Sequence, residues 1–129
     1  MTSHYLECII ADSFNSVFDA LSDRFGDIYA RKHGKPGELR MGVIMGEHYF
    51  FRVESDAAIL IILKELASNK TSAEVVSCAG GHGLLEVSYG AHADYVHEVI
   101  DFLSSSGFQI EIKDEIEYFD REKCSQLGE

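Results

Sequence analysis

The chain has 129 residues, a length typical of one domain, and its 46% apolar and 26% charged residues are ordinary for a globular protein. Its 22 acidic residues outnumber 11 basic ones and give a formal charge of -11, which repels phosphate backbones and anionic membranes at long range. The composition therefore argues against a disordered chain and against nucleic-acid or membrane partners.

Cysteine usage and apolar segments indicate the compartment. Cys8, Cys78 and Cys124 are an odd number without C-x-x-C spacing, which argues against a disulfide framework and favours a reducing compartment. The N-terminus lacks a basic region followed by an apolar stretch, and the longest apolar run, residues 57–63, is too short to span a membrane. We therefore expect a cytoplasmic protein.

The first third of the chain predicts a strand followed by an amphipathic helix. Residues 5–11 are rich in strand formers, and Asp12 or Ser13 then offers an N-cap oxygen. The helix is predicted to run to about residue 31 and to fray by Gly34. Its apolar residues recur at helical spacing and predict one buried stripe: Phe14, Val17, Phe18, Leu21, Phe25 and Ile28.

The middle of the chain predicts strands joined by short turns. Residues 39–52 alternate with period two, and residues 73–78 and 84–89 are two further strand candidates. Residues 57–66 leave two alternatives open, because Asp56 could cap a helix whereas the β-branched isoleucines favour a strand. We favour the strand.

The last third predicts a second helix and a short final strand. Residues 91–106 carry an apolar stripe, and Gly107 stands where a left-handed C-terminal cap belongs. Residues 108–112 then alternate as a strand, and residues 120–129 are expected to form a flexible tail. The elements predict one α+β domain over residues 1–119, with an antiparallel sheet in the order β-α-β-β-β-β-α(-β) and both helices on one face.

The loop Gly80-Gly81-His82-Gly83 is the first candidate site. Its glycines permit positive φ and expose backbone N–H groups, which suits a small polar or anionic ligand, and His82 could add a titratable group. Tyr49 could line a ligand cavity. A glycine-rich hairpin with His82 exposed at its tip explains the same residues, so both alternatives stay open.

Metal and nucleophile chemistry have little support. His92 and His97 lie five residues apart on the predicted helix, too far around its axis to bind one ion, although His97 and Asp94 would be neighbours. The chain has no H-E-x-x-H motif, no paired cysteines and no G-x-S-x-G turn. We therefore expect no metal and no other cofactor, and an enzyme is not the favoured alternative.

Three short stretches resemble a group of small prokaryotic domains of unknown function, and the resemblance covers residues 39–103. They are the strand end His48-Tyr49-Phe50-Phe51, the loop Ala79-Gly80-Gly81-His82-Gly83, and Val87-Ser88-Tyr89-Gly90-Ala91 before a helix. The element order is also similar to the half-repeat of the TATA-box-binding-protein fold. The negative charge argues against carrying over DNA binding, and the resemblance implies no catalytic residues.

Large apolar groups on both faces of two predicted strands indicate self-association. Tyr49, Phe51 and parts of the run Ile59–Leu63 cannot all point to one face, so a second copy of the chain is expected to cover the rest. We therefore predict a homo-oligomeric binding or interaction module, as a homodimer. The alternative is a small-molecule enzyme or ligand binder that uses the glycine loop and His82.

Overall fold

A computed structural model describes residues 2–35, 37–50, 55–79 and 91–128. Within these ranges the elements, in chain order, are β1 (Thr2–Ile10), α1 (Phe14–Phe25), β2 (Tyr29–His33), β3 (Met41–Phe50), β4 (Ser55–Ala67), β5 (Lys70–Ala79), α2 (Ala91–Ser105), β6 (Ile110–Glu117) and α3 (Arg121–Ser125). The strands form one antiparallel sheet in the order β2-β3-β4-β5-β1-β6. The predicted α+β fold with an antiparallel sheet is confirmed.

One face of the sheet carries α1 and α2, and the core lies between them and the sheet. Alternate residues of each central strand point to these helices, so the strand prediction for residues 57–66 is confirmed. The buried residues of β1, β4 and β5 on this face are mostly apolar: Leu6, Cys8, Ile10, Ala57, Ile59, Ile61, Leu63, Ala73 and Val75. We call this the helix face, and the opposite side the open face.

The first helix begins as the sequence predicts, but its predicted C-terminus was wrong. Ser13 caps the helix, because its side chain accepts a hydrogen bond from the Ser16 N–H group. The helix ends at Phe25, whereas the apolar stripe predicted continuation to residue 31. Ile28 belongs to that stripe by spacing, yet it is 54% exposed.

Close contact with β3 explains why the helix stops at this point. A Cβ atom on Gly46 would lie 1.9 Å from the carbonyl oxygen of Phe25, so only glycine lets the helix end approach the strand. The Gly26 N–H group closes the last turn on Ser22, and the Ile28 N–H group bonds to Met45. The chain then enters β2, which pairs with β3 from Tyr29 opposite Met45.

The second helix ends as predicted. Gly107 has a φ of +92°, and the Phe108 N–H group donates to the Leu103 carbonyl, which is a left-handed cap. The final strand is longer than residues 108–112 and runs to Glu117. The predicted strand at residues 84–89 lies outside the described residues.

The residues after β6 cross to the open face. Phe119 stacks on Tyr5 of β1 with ring centroids 4.8 Å apart, and Asp120 caps the short helix α3. That residues 120–129 form a flexible tail stays a prediction. Among the described residues, no helix is both long enough and apolar enough to cross a membrane.

Replacing Phe18 with alanine tests the helix packing. The Phe18 ring is 7% exposed and lies over Gly42 of β3, where a Cβ atom would come within 2.7 Å of it. We expect Phe18→Ala to lower the free energy of unfolding by about 3–5 kcal/mol in urea titrations, because it leaves a cavity. Ile28→Ala is the control and should change it by less than about 0.5 kcal/mol. A loss below about 1 kcal/mol for Phe18→Ala would contradict this packing.

Candidate functional site

The site predicted from the sequence lies mostly outside the described residues. This holds for Gly80, Gly81, His82 and Gly83. Tyr49 is in β3, where its backbone lies opposite Asp56 of β4, but its side chain is outside the described part. A ligand at these residues therefore stays a prediction.

Two histidines and one glutamate from three different elements converge on the helix face. His4 lies on β1, His97 on α2, and Glu115 on β6, where its backbone is opposite Leu6. The Nε2 atoms of His4 and His97 lie 2.7 Å and 2.9 Å from Oε2 of Glu115. The two imidazole rings meet edge to face, with centroids 5.6 Å apart. We call these three residues the His-His-Glu cluster.

The cluster has a buried side and an exposed side. His4 is 1% exposed, whereas half of the His97 side chain is accessible to solvent. The hydrogen bond with His97 does most to hold the pKa of Glu115 below its usual range, and the hydrogen bond with His4 adds to it. Glu115 is therefore held as a carboxylate, which is the form that accepts hydrogen bonds or binds a cation.

Sequence reasoning considered His97 but missed its partners. It placed His97 beside Asp94 on one helix, whereas the contact that builds the cluster joins His97 to Glu115, eighteen residues further along the chain. The available signal was in β1, where His4, Leu6, Cys8 and Ile10 alternate and so place a histidine on the buried face.

Cys8 gives no reactive thiol. It is buried in the core, and burial raises the pKa of its thiol to about 12, so the thiolate form is disfavoured. Cys78 was predicted to be a small core residue as well, but it is half-buried. It lies on the open face, because its neighbours Ser77 and Ala79 are the buried residues of this alternating strand.

An apolar row crosses the open face of the sheet from one edge to the other. The register of the ladders places its members directly opposite one another: Tyr29, Met45, Leu60, Val76, Tyr5 and Ile116. Tyr29 and Met45 are 36% and 38% exposed. Large apolar groups are therefore present along the row, and of the residues on which the sequence prediction rested, Leu60 belongs to it.

A second row beside it carries charges of opposite sign at its two ends. Its members, again in sheet order, are Arg31, Val43, Ile62, Glu74, Glu7 and Asp114. The β2 end carries the basic residue Arg31. His33 lies two residues further along β2 and faces the same side of the sheet. The β1–β6 end is acidic. The open face therefore combines an apolar centre with a charge gradient across the strands.

The acidic end of the open face is partly covered by the chain itself. Tyr5 donates a hydrogen bond to Glu74 at 2.8 Å and stacks on Phe119. Burial, followed by this bond to the carboxylate, raises the pKa of Tyr5, so its hydroxyl stays a donor. Gln126 and Leu127 line a hollow over the same strands.

A basic loop and a salt bridge lie at the other end of the molecule. Arg40 pairs with Glu65 at 3.3 Å, and its guanidinium lies over the Phe14 ring at 4.9 Å. An open surface cleft beside this pair is lined in part by Lys32 and Lys35. Because Arg40 is already bonded to Glu65 and Asn15, we assign the pair to fold stability.

Comparison with known proteins leaves the function open. No protein-family model matches the chain, and neither does any curated protein. A crystal structure of an uncharacterised protein from Bacillus thuringiensis is similar over 80% of this chain and 97% of its own, with 13% sequence identity and a TM-score of 0.40. A similarity of this size carries no argument about the family or the function of this chain.

Replacing Glu115 with glutamine tests the electrostatics of the cluster. A carboxylate whose pKa is lowered by folding stabilises the fold above its unfolded pKa of 4.5, and that contribution is lost as pH falls through the folded value. We therefore expect Glu115→Gln to lower the urea midpoint at about pH 7 and to lower it less at about pH 3. Glu111→Gln, a change on the same strand, should show no such difference. Equal effects of Glu115→Gln at both pH values would contradict the assignment.

Proposed function

We propose that this protein is a cytoplasmic interaction module that forms a homodimer through the open face of its sheet. The observation that carries the proposal is the apolar row from Tyr29 to Ile116 beside a row with opposite charges at its ends. Tyr29 and Met45 are exposed and Leu60 and Val76 are half-buried, whereas Tyr5 at the other end is covered by Phe119. A contiguous apolar patch that stays accessible on a sheet marks an interaction surface. Twofold homodimers are the commonest oligomers, so a second copy of the chain is the occupant we propose.

The charge gradient selects a second copy as the occupant. When two sheets pack face to face, their strands stay close to parallel. A twofold axis along the strands then places β2 of one chain over the β1–β6 end of the other, and each row meets the same row in reverse order. Arg31 consequently faces Glu7 and Asp114 of the second copy. An axis across the strands would instead place the β2 edge of one copy, which carries Arg31, over the same edge of the other.

The residues that follow β6 leave the charge of the acidic end unchanged. They include Asp120 and Glu122 but also Arg121 and Lys123, so they add no net charge to it. The formal charge of -11 supports the absence of nucleic-acid and anionic-membrane partners. The similarity of the element order to the TATA-box-binding-protein half-repeat stays a prediction, and this charge argues against a shared ligand.

The alternative from another class is a ligand binder or small-molecule enzyme that uses the glycine loop. Gly80, Gly81, His82, Gly83 and Tyr49 would then hold a small polar or anionic compound. The oligomeric state is the first measurement that distinguishes the interaction module from the ligand binder. The open face predicts a dimer regardless of what the glycine loop binds.

Placing a charge in the apolar row should separate the two chains. We expect the wild type to elute as a dimer in size-exclusion chromatography with light scattering at micromolar concentration, and Met45→Glu to elute as a monomer. A carboxylate at this position would be desolvated in the interface without a partner. Leu39→Glu is the matched control, since Leu39 is 69% exposed and lies outside the sheet, and it should remain a dimer. A monomeric wild type would rule out the proposal.

A charge exchange tests the orientation of the two copies. Arg31→Glu and Asp114→Lys each replace an attractive contact with a repulsive one, so each variant alone should dimerise more weakly than the wild type. A mixture of the two restores both contacts in a heterodimer, and we expect light scattering to show the dimer mass again. A higher salt concentration should reduce the amount of heterodimer in the mixture, because salt screens solvent-exposed charge contacts. A mixture that stays as weak as the separate variants would contradict the axis along the strands.

A further inference from the structure

Outside the open face, the His-His-Glu cluster is the arrangement whose chemistry points most directly to a ligand. His4, His97 and Glu115 each offer one donor atom, and these atoms all lie within 4.8 Å of one another. Two imidazole nitrogens and one carboxylate oxygen are the three protein ligands found in many zinc sites that keep a fourth position open. We propose that these three residues bind one Zn²⁺ ion.

The donor set decides the class of metal. Imidazole nitrogen suits zinc and neighbouring transition metals, whereas Ca²⁺ and Mg²⁺ prefer sites built of oxygen alone. The chain offers a single carboxylate in the cluster, so a hard cation would lack ligands. Two neutral imidazoles and one carboxylate around Zn²⁺ give the site a net charge of +1. This charge favours a water molecule or an anion as the fourth ligand.

The geometry requires only a small displacement on binding. Both histidine Nε2 atoms already point to one oxygen of Glu115, at 2.7 Å and 2.9 Å. Bonds of about 2.0–2.2 Å to a tetrahedral ion place its ligand atoms roughly 3.4 Å apart, so the carboxylate would retreat by less than about 1 Å. The two histidine nitrogens lie no more than 4.8 Å apart and would approach each other by up to about 1.4 Å to reach that spacing. The ion takes the place of the two hydrogen bonds, and each histidine then carries its proton on Nδ1.

The fold holds the donors and leaves access for the ion. β1 lies between β5 and β6, so the backbone of His4 is paired on both sides, with Ser77 and Glu117 opposite it. His97 comes from α2, which packs on β1, and it is half-exposed. The fourth position of the ion therefore faces the solvent side of the cluster. A Zn²⁺ ion here would cross-link β1, β6 and α2.

Binding of Zn²⁺ to chelator-treated protein tests the proposal. We expect isothermal titration calorimetry to give saturable binding of one ion per chain, and Zn²⁺ to raise the thermal unfolding midpoint. His97→Gln and Glu115→Gln should each weaken the affinity by at least about 100-fold, because loss of a direct ligand costs more than loss of a supporting contact. Co²⁺ should give the visible absorption of a tetrahedral site in the wild type and not in these variants.

Matched variants separate this site from other groups that bind zinc. His33→Gln removes an exposed histidine on β2, Glu111→Gln removes a carboxylate on the strand of Glu115, and Cys124→Ser removes an exposed thiol; all three should bind as the wild type does. His97 is half-exposed, so urea melts of metal-free His97→Gln should remain cooperative. An absence of saturable binding in the wild type, or equal affinity in wild type and His97→Gln, would overturn the proposal and leave the cluster as a hydrogen-bond network.

Discussion

The packing of α1 and α2 on the same face of the sheet is the constraint on which the other features depend. It fixes which half of every strand is core, because alternate residues must point to the helices. It also requires residues without side chains at the points where β3 contacts α1, and Gly42 and Gly46 occupy those points. The opposite face receives no long helix in the described part of the chain, and there the apolar row remains accessible at its β2–β3 end.

The same packing assembles the His-His-Glu cluster. α2 lies over β1, and the left-handed turn at Gly107 returns the chain so that β6 pairs with β1 beside it. One helix and its following strand thus carry His97 and Glu115 to the same point on β1. From His4 to Ile10, the residues of β1 that face the helices are apolar except for His4, and a buried imidazole there needs a polar partner. Glu115 supplies it.

The sequence predicts local features better than it predicts contacts between distant elements. The stripe from Phe14 to Phe25 is long and regular, so the position of α1 follows from it. β2 was missed because Ile28 continues the helical spacing, whereas the helix ends through a backbone contact at Gly46, twenty residues away from Gly26. The His-His-Glu cluster forms only where three elements that are distant in sequence meet. The residue spacing within any one of these elements does not predict that contact. The glycine loop, which spacing did single out, lies outside the described residues.

The two proposed surfaces are separated by the pleat of β1 and β6. His4 faces the helices while its neighbour Tyr5 faces the open side, and Glu115 and Ile116 alternate in the same way. Each surface is therefore built from residues that the other does not use, and the failure of one proposal leaves the other intact. The two still share a backbone, since Tyr5 and Ile116 are directly opposite each other in the ladder that positions His4 and Glu115. A second copy packed on the apolar row would restrain that ladder, and would thereby hold the donors of the cluster more rigidly.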